Sequence, residues 1–412
     1  FFFASTMPPQ PKWTRYLTED HNPFVVSADY KVEYQLGRGG FGVVVAAKHL
    51  PTGSTVAIKK VTLDGLPTTA VKVLREIKAL SFFNHRNIVK LYDIVELPNQ
   101  QFTEVYFVID YMNYDLDQVI RDPSNNMEMD LVKYLMYYIL QGVKCIHSAA
   151  MIHRDLKPRN ILVSDTCEVK ICDFGLAREM GEDLSGYVET RWYRCPEIIM
   201  NHRKYDTQVD IWSVGCILGE MLLRRPLWQG KSSLDQMDMI ISTVGVPTME
   251  DVEGIGSDVA RKFCLERVRM NGNRRNFEDV FRTHVAECPE VVDLLQKLLA
   301  FSPKKRLNAD EAIAHAFFDD VRADDDDPVS TEVFDLELDA NMNDDGLQDY
   351  RYIQQLIWEE MLKFHPEATG DAVGNGVEPE APVVRIRSLS NTNHDVPDSA
   401  GSDSAAVAPA SE

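Results

Sequence analysis

Between residues 30 and 110, apolar and polar positions alternate, and the apolar positions are rich in β-branched residues. A period of two with turn-forming residues between the runs predicts β-strands. One stretch has apolar residues at helical spacing instead, and it predicts a helix at Thr69–Leu80. The predicted strands are Tyr34–Leu36, Val43–His49, Ser54–Val61, Ile88–Glu96 and Thr103–Asp110.

After Met112 the period changes to that of amphipathic helices. The clearest helical stretches are Leu131–Cys145, Val209–Leu223 and Val291–Leu299. The pattern therefore predicts an α+β protein, with a small strand-rich lobe followed by a larger helical lobe.

The two ends of the chain differ from this central part. Residues 1–28 are polar, contain proline and have no period, so they predict a loose arm. Tyr350–Phe364 has apolar residues on one helical face and predicts a packed helix. Residues 365–412 are rich in Gly, Pro, Ser, Asp and Ala, which predicts disorder. The basic motif Arg385–Ser388 lies in this tail and is assigned no function.

Composition narrows the class of protein. The 412 residues are 44% hydrophobic and 26% charged, which suits a large globular unit or two lobes. Seven scattered cysteines predict a reducing, intracellular setting. No apolar run approaches the roughly 20 residues that span a bilayer, and the start, Phe1–Phe3, does not resemble a signal peptide.

The formal net charge of −21 is concentrated in one stretch. Asp319–Asp345 is crowded with acids, and Arg322 is its only basic residue. This balance argues against nucleic acids and acidic membranes as partners, and it allows basic peptides.

A glycine-rich run at residues 36–44, Leu-Gly-Arg-Gly-Gly-Phe-Gly-Val-Val, lies between two predicted strands. Glycines there let backbone N–H groups close over phosphates, where a Cβ would clash. By itself the run is as typical of a simple turn, but its position between two strands disfavours a dinucleotide-binding fold. Lys59 ends the next strand, and Glu76 lies on the predicted helix. An ion pair between them would hold Lys59 against the α- and β-phosphates.

The segment from His153 to Glu197 holds the residues that phosphoryl transfer requires. It reads His-Arg-Asp-Leu-Lys-Pro-Arg-Asn at 153–160, Asp-Phe-Gly at 173–175 and Cys-Pro-Glu at 195–197. The first two blocks supply a base, a phosphate contact and two metal ligands at the spacing that transfer from Mg-ATP needs. With these motifs in order over about Tyr30 to Phe318, the chain resembles a eukaryotic protein kinase.

The resemblance implies a role for each matching position. Asp155 resembles the base that accepts the proton of the substrate hydroxyl, and Lys157 the lysine that steadies the γ-phosphate. Asn160 and Asp173 resemble the Mg²⁺ ligands. Asp210 is expected to brace the catalytic loop. The ATP-binding positions implied are Leu36, Gly37, Arg38, Gly39, Gly40, Phe41, Gly42, Val44, Ala57, Lys59, Ile109, Asp110, Met112, Asp115 and Leu162.

Within that site, the resemblance implies that Asp110 and Met112 form the hinge that pairs with adenine, while Ile109 gates the pocket. Asp115 resembles the acid near the ribose. Elsewhere, Glu197 and Arg306 resemble the buried pair that anchors the end of the activation segment.

Residues 185–194, Ser-Gly-Tyr-Val-Glu-Thr-Arg-Trp-Tyr-Arg, resemble the activation segment of the mitogen-activated protein kinases. The resemblance implies phosphorylation of Ser185 and Tyr187, with Thr190 bonded to Asp155. Arginines suit this role because their forks match phosphate oxygens. The expected phosphate-receiving arginines are Arg75, Arg154 and Arg178 for Ser185, and Arg191 and Arg194 for Tyr187.

Two departures from that family stand in this segment. Ser185 replaces the usual threonine, and Glu189 replaces a small or apolar residue. The family prefers Ser or Thr followed by Pro, so the same preference is expected here, with Glu189 disfavouring nearby acids. A cyclin-dependent kinase is the nearest alternative, and a pseudokinase scaffold is the alternative of another class.

The predicted organisation is a kinase domain over 29–320, divided at 112/113, and an acidic extension over 321–364. In the extension, Asp324, Asp325, Asp326 and Asp327 resemble an acidic docking site for Lys/Arg-rich motifs, although a solvated acidic loop is the alternative. The expected partners are protein substrates, an upstream dual-specificity kinase and phosphatases. The protein is expected to be a monomer of the cytoplasm and nucleus that uses ATP and Mg²⁺.

Overall fold

The fold is described from a computed structural model. It describes residues 12–39, 42–97, 99–179, 191–200, 206–245, 247–248, 258–270, 277–322, 329–335, 349–368 and 383–388. Two compact units divide the chain. The first comprises 1–60 with 377–412, and the second comprises 61–376.

The strands, in chain order, are β1 (Trp13–Leu17), β2 (Pro23–Ser27), β3 (Tyr30–Gly39), β4 (Gly42–His49), β5 (Thr55–Thr62), β6 (Leu91–Ile94), β7 (Glu104–Asp110), β8 (Tyr114–Asp115), β9 (Met151–Ile152), β10 (Ile161–Val163), β11 (Val169–Ile171), β12 (Arg178–Glu179), β13 (Val383–Arg385) and β14 (Arg387–Ser388).

The α-helices are α1 (Pro67–Phe82), α2 (Leu116–Arg121), α3 (Met129–Ser148), α4 (Pro196–Ile199), α5 (Gln208–Leu223), α6 (Ser233–Val244), α7 (Asp258–Met270), α8 (Phe277–Val280), α9 (Arg282–Glu287), α10 (Pro289–Leu298), α11 (Ala309–Ile313) and α12 (Tyr350–Leu362). Strands and helices together confirm the α+β class. Each strand and helix predicted by periodicity overlaps one of these elements.

The first unit is built from β-strands. β3 and β4 form an antiparallel pair whose inward residues, such as Val32, Val43 and Val45, are buried. Alternation of β-branched residues explains this pair, because every second side chain faces the core. β1 and β2 form a second antiparallel pair, in which Phe24 and Val26 are fully buried.

Two predictions about the chain ends are wrong where the structure describes them. Residues 13–27 form the β1–β2 hairpin and not a loose arm. Residues 383–388 form β13 and β14 and not a disordered tail. The division predicted at 112/113 stays a prediction.

The second unit has a helical core around α3 and α5. The apolar face of α3 is buried, and nearly all of α5 is buried on every side. Trp212 of α5 is fully buried and stacks on Trp228, with ring centroids 5.6 Å apart. Helix α3 packs against β9 and β11, and the catalytic motif lies between β9 and β10.

Helix α12 packs against α1 within the second unit. Its residues Ile353, Ile357 and Met361 are fully buried, as the apolar face predicts. Gln354 Nε2 also donates to the carbonyl of Phe102 at 2.7 Å. No described helix is long and apolar enough to cross a membrane.

A histidine fastens the chain after α12 to β6. His365 Nε2 lies 2.8 Å from Asp93 Oδ1 and 3.0 Å from the carbonyl oxygen of Ile94. The hydrogen bond to Asp93 raises the pKa of His365, against a smaller opposing effect of burial. The pair therefore stabilises the fold most when His365 is protonated.

We expect His365→Ala to lower the free energy of unfolding more at pH 6 than at pH 8.5. A raised folded-state pKa contributes its full stability below the unfolded pKa of about 6.5 and loses it as pH rises through the folded value. Thermal unfolding at both pH values measures this. Asp93→Asn should abolish most of the pH dependence, and an equal loss at both pH values would contradict the assignment.

Candidate active site

The catalytic loop runs from His153 to Asn160, between β9 and β10. Asp155 is only 8% exposed. Its Oδ2 accepts hydrogen bonds from Lys157 Nζ at 2.6 Å and from Asn160 Nδ2 at 2.9 Å. Asn160 Nδ2 also donates to the backbone oxygen of Asp155 at 2.8 Å. The loop therefore holds one carboxylate in a fixed orientation, with a lysine beside it.

Asp210, at the start of α5, braces this loop as predicted. Its Oδ2 accepts from the backbone N–H of His153 and its Oδ1 from that of Arg154, each at 2.8 Å. Arg154 has a left-handed φ of 70°, a strained conformation that these two bonds stabilise. His147 Nε2 lies 3.0 Å from Oδ2.

The charge of Asp210 is maintained although the side chain is fully buried. Burial would raise its pKa, but the hydrogen bond and charge of His147, with the hydrogen bond from the Arg154 N–H, lower the pKa of Asp210 overall. An ionised carboxylate bonded to two backbone N–H groups is a strong, oriented contact.

His153 joins the catalytic loop to the Asp-Phe-Gly segment. Its backbone-facing Nδ1 accepts from the N–H of Asp155 at 3.3 Å, so Nε2 is the protonated nitrogen and donates to the carbonyl of Cys172 at 3.0 Å. Burial lowers the pKa of His153, although the charge of Asp210 opposes this. The ring also contacts Phe174 at a centroid distance of 5.0 Å. His153 is therefore neutral. It links Asp155, the expected base, to Cys172, the residue directly before the expected metal ligand Asp173.

The two expected metal ligands lie on adjoining segments. The N–H of Cys172 donates to the carbonyl of Asn160 at 3.0 Å, which places Asp173 beside Asn160 in the backbone network. Asp173 has a left-handed φ of 67°, unusual for a residue with a Cβ. Because the Asn160 amide uses its nitrogen on Asp155, its oxygen is the atom suited to a cation. An amide oxygen and a carboxylate are hard donors that fit Mg²⁺.

The expected hinge follows β7. Ile109 and Met112 are buried, and the Asp110 carboxylate is held by the N–H of Lys90 at 2.8 Å and by the Tyr92 hydroxyl at 2.7 Å. These contacts fix the Asp110 side chain, and its N–H donates to the carbonyl of Lys90 at 3.3 Å, so its carbonyl oxygen is the part available for a base.

The expected ribose and base contacts are neighbours. Leu162 in β10 is directly opposite Asp115 in β8. Asp115 also caps α2, accepting from the N–H of Gln118 at 2.8 Å. Burial raises the pKa of Asp115, against that hydrogen bond.

The remaining nucleotide positions belong to the first unit. Leu36, Gly37, Arg38 and Gly39 end β3, and Arg38 forms an ion pair with Asp20. Gly42 and Val44 lie in β4, Ala57 and Lys59 in β5. Gly40 and Phe41 lie outside the described residues. Lys59 and Glu76 belong to different units, so their ion pair stays a prediction.

Of the three arginines expected to receive the Ser185 phosphate, two donate to nearby backbone carbonyls and the third lies in a short strand that follows them. Arg75 Nη1 donates to the carbonyl of Gly175 at 3.4 Å, and Arg154 Nη1 to that of Leu176 at 3.3 Å. Arg178 follows in β12, paired with Ile152 of β9. Arg75 is 4% exposed, and its Nε has no hydrogen-bond partner among the described atoms. A buried guanidinium with a spare donor suits an anion.

The residues that would carry those phosphates, Ser185 and Tyr187, lie outside the described residues, as does Thr190. The described chain resumes with a 3₁₀ turn at Arg191–Tyr193. Arg191 Nη1 donates to the carbonyl of Lys231 at 3.3 Å, and the N–H of Arg194 to that of Arg191 at 3.3 Å. A small cavity beside this turn is lined by Asp155, Tyr193 and Arg194, among others.

One contact in this region was not foreseen from the sequence. Tyr193 donates to Glu220 Oε2 at 2.6 Å, and the carbonyl of Tyr193 accepts from Ser213 Oγ at 3.0 Å. Burial raises the pKa of both Tyr193 and Glu220. The two residues are 27 positions apart, so no local spacing signals the pair.

The buried pair that anchors the end of the segment is confirmed. Arg306 Nη1 lies 2.8 Å from Glu197 Oε1, and Nη2 lies 3.3 Å from Oε2. The Arg306 guanidinium also donates to the carbonyls of Ala300 and Gln208, and it lies over the ring of Trp212. This two-point geometry satisfies both charges in a buried site.

A family model described as protein kinase domain matches residues 30–318. The extracellular signal-regulated kinase 1 of Dictyostelium discoideum is 42% identical over 355 residues, which make up 84% of this chain and 64% of that protein. A mitogen-activated protein kinase of Fusarium vanettenii is 38% identical over 86% of this chain and 99% of its own. The mitogen-activated protein kinase mpkB of Aspergillus fumigatus is 39% identical over 82% and 96%.

The fold and the catalytic loop define a protein kinase domain, which implies the use of ATP and a divalent metal ion. The chain belongs to the mitogen-activated protein kinase family of serine/threonine protein kinases. This membership favours that branch over the cyclin-dependent kinases and implies protein substrates and upstream kinases. The chain spans 64% of the length of the Dictyostelium relative and nearly all of the two fungal ones.

Proposed function

We propose that this protein transfers the γ-phosphate of Mg-ATP to Ser or Thr residues that precede Pro in protein substrates. We further propose that phosphorylation of Ser185 and Tyr187 switches it on in intracellular signalling. The observation that carries the proposal is the fixed carboxylate of Asp155, with Lys157 and Asn160 bonded to it.

In this mechanism Asp155 accepts the proton of the substrate hydroxyl as that oxygen attacks the γ-phosphorus, and the bond to the β,γ-bridging oxygen breaks so that ADP leaves. Lys157, next to the base, stabilises the negative charge on the transferred group. Asn160 and Asp173 would hold Mg²⁺, which neutralises charge on the phosphate oxygens when bound. Asp210 contributes by fixing the loop, because it bonds the backbone on the N-terminal side of the base.

The proposed switch depends on arginine side chains. Arg75, Arg154 and Arg178 are gathered around residues 175–178. Arginine forks match phosphate oxygens, and a phosphate brings about two negative charges. Phosphoserine at 185 would therefore order the segment around these arginines, while Arg191 and Arg194 would receive phosphotyrosine at 187.

We expect activity to require both hydroxyls. After treatment with an activating dual-specificity kinase, Ser185→Ala and Tyr187→Phe should each lower kcat by about 10²-fold or more, because one cluster of arginines would lack its anion. Phosphosite mapping by mass spectrometry, with initial rates for each variant, measures this. Full activity of Tyr187→Phe would refute dual control and favour a cyclin-dependent type of activation.

The preference for proline has its own test. On a peptide array, peptides with Pro directly after the acceptor should be phosphorylated about tenfold or more faster than matched Ala peptides. Tyr193 and Arg194 line the same cavity as Asp155. This supports the proposal that this part of the chain controls which residue can follow the acceptor in the substrate. Peptides with an acid nearby should react slowly because of Glu189. Equal rates with Pro and Ala would refute the substrate assignment.

The partners proposed are an upstream dual-specificity kinase, phosphatases and proteins with basic docking motifs. Asp324, Asp325, Asp326 and Asp327 would bind those motifs, because clustered carboxylates attract Lys and Arg side chains. These four aspartates lie outside the described residues. We propose that the protein acts as a monomer in the cytoplasm and nucleus.

A further inference from the structure

The last described segment, residues 383–388, joins two sheets of the first unit. β13 is parallel to β1, and β14 is parallel to β3. The paired residues are Arg15 with Val383, Tyr16 with Val384, Leu17 with Arg385, Tyr34 with Arg387 and Gln35 with Ser388. Six residues of the tail thus pair first with the N-terminal hairpin and then with the strand that enters the glycine-rich run.

The segment occupies the outer edge of both sheets. One sheet has the strand order β13-β1-β2. The part of the other sheet that lies in the first unit begins with the order β14-β3-β4. Without the tail, β1 and β3 would each present edge backbone N–H and C=O groups. Such edges accept an extended peptide, whose main chain supplies affinity while its side chains supply specificity.

One side chain anchors the segment. Ile386 lies where the tail passes from β1 to β3, and its N–H donates to the carbonyl of Leu17 at 2.9 Å. Its side chain is 7% exposed, whereas that of Val384 is 45% exposed. The site therefore selects an apolar residue at the position of Ile386 and tolerates variation at Val384.

We propose that the edges of β1 and β3 form a strand-addition site for an extended peptide, and that its occupant is residues 383–388 of the same chain. The contact is suited to reversible binding, because it consists of two short parallel ladders, and Ile386 is the one buried side chain among those described at 384–386. Parallel pairing is also slightly weaker for each residue than antiparallel pairing. The segment belongs to the same chain as β1 and β3, so its binding is intramolecular.

The position of the site gives it a consequence for nucleotide binding, which rests on the proposed function. β14 pairs at Tyr34 and Gln35, directly before Leu36–Gly39. Pairing with β14 restrains β3. If β3 is restrained in the conformation that binds the nucleotide, the affinity for the nucleotide rises, because less ordering is needed on binding. The tail thus acts as a removable support for the glycine-rich run.

The test compares Ile386→Asp with Val384→Asp in the full chain. Both add one carboxylate to the same short segment, but only the first places it in a buried position. Hydrogen exchange of peptides covering residues 13–17 and 30–39 should become about tenfold faster in Ile386→Asp and stay unchanged in Val384→Asp. The milder Ile386→Ala should change in the same direction. Equal exchange in all these proteins would overturn the proposal.

Two further measurements locate the occupant. Adding the hexapeptide Val-Val-Arg-Ile-Arg-Ser to Ile386→Asp should restore protection, whereas the same peptide with Asp in place of Ile should not. Protection in the unaltered protein should not vary with protein concentration. If it rises with concentration, the occupant is the tail of a second copy, which would overturn the intramolecular assignment.

Enzyme kinetics tests the consequence separately. Ile386→Asp should raise KM for ATP about threefold and change kcat less than twofold, while Val384→Asp changes neither. If hydrogen exchange becomes faster in Ile386→Asp but KM for ATP does not change, the strand-addition site is supported and its link to the glycine-rich run is overturned. If the proposed substrates are wrong, all proteins will be inactive on Ser-Pro peptides, but the exchange result will still decide the strand site.

Discussion

Asp155→Asn is expected to lower kcat by about 10²–10⁴-fold, the usual contribution of a positioned general base. The amide keeps an oxygen for the hydrogen bonds from Lys157 and Asn160, so the loop should keep its shape. It has no basic oxygen to accept the proton of the substrate hydroxyl. KM for ATP and the melting temperature should therefore change little.

Single-turnover kinetics with a Ser-Pro peptide, combined with thermal unfolding, measures this effect. Asp165→Asn is the matched control, because Asp165 is an exposed aspartate a few residues further along, between β10 and β11. The Asp165→Asn variant should keep full activity. A fall in kcat of less than about tenfold for Asp155→Asn would exclude Asp155 as the base.

Arg306→Met is expected to lower the free energy of unfolding by about 3–5 kcal/mol, because it leaves the buried charge of Glu197 without its partner. The side chains of Arg306 and Glu197 are 0% and 7% exposed, so water cannot replace the lost bonds. The carbonyls of Ala300 and Gln208 also lose a donor. Urea unfolding followed by tryptophan fluorescence measures the change.

The control is Arg282→Met, which breaks the ion pair with Asp279. The Arg282 side chain is 81% exposed, and such surface pairs contribute little to stability. Combining Arg306→Met with Glu197→Gln should cost less than the sum of the two single changes, because the second change removes the unpaired charge. Additive losses would show that the pair is not coupled.

Sequence spacing predicted the part of the site that lies within one loop. Asp155, Lys157 and Asn160 are close in the chain, so a tight loop brings them together wherever it is placed. The brace from Asp210 was expected only through resemblance, because 57 residues separate it from His153. The contact of Tyr193 with Glu220 was missed, since neither local period nor composition indicates which distant side chains meet.

The chain ends show the opposite error. A Pro-containing, polar arm and a Gly- and Ser-rich tail predicted no regular structure, yet Trp13–Leu17, Pro23–Ser27 and Val383–Ser388 form strands. Edge pairing is made by backbone N–H and C=O groups, which every residue except proline has in full. Amino-acid composition describes the side chains, so it carries little information about whether an unpaired sheet edge lies near the segment.

By itself, the sequence determined the α+β class, most of the strands and helices, and the residues of the catalytic loop, because period and short spacing act locally. Tertiary structure alone decided how distant groups meet. It placed His153 between Asp155 and Cys172, brought Tyr193 to Glu220, and added the tail to β1 and β3. These contacts depend on burial and on geometry across long separations, which no local pattern encodes.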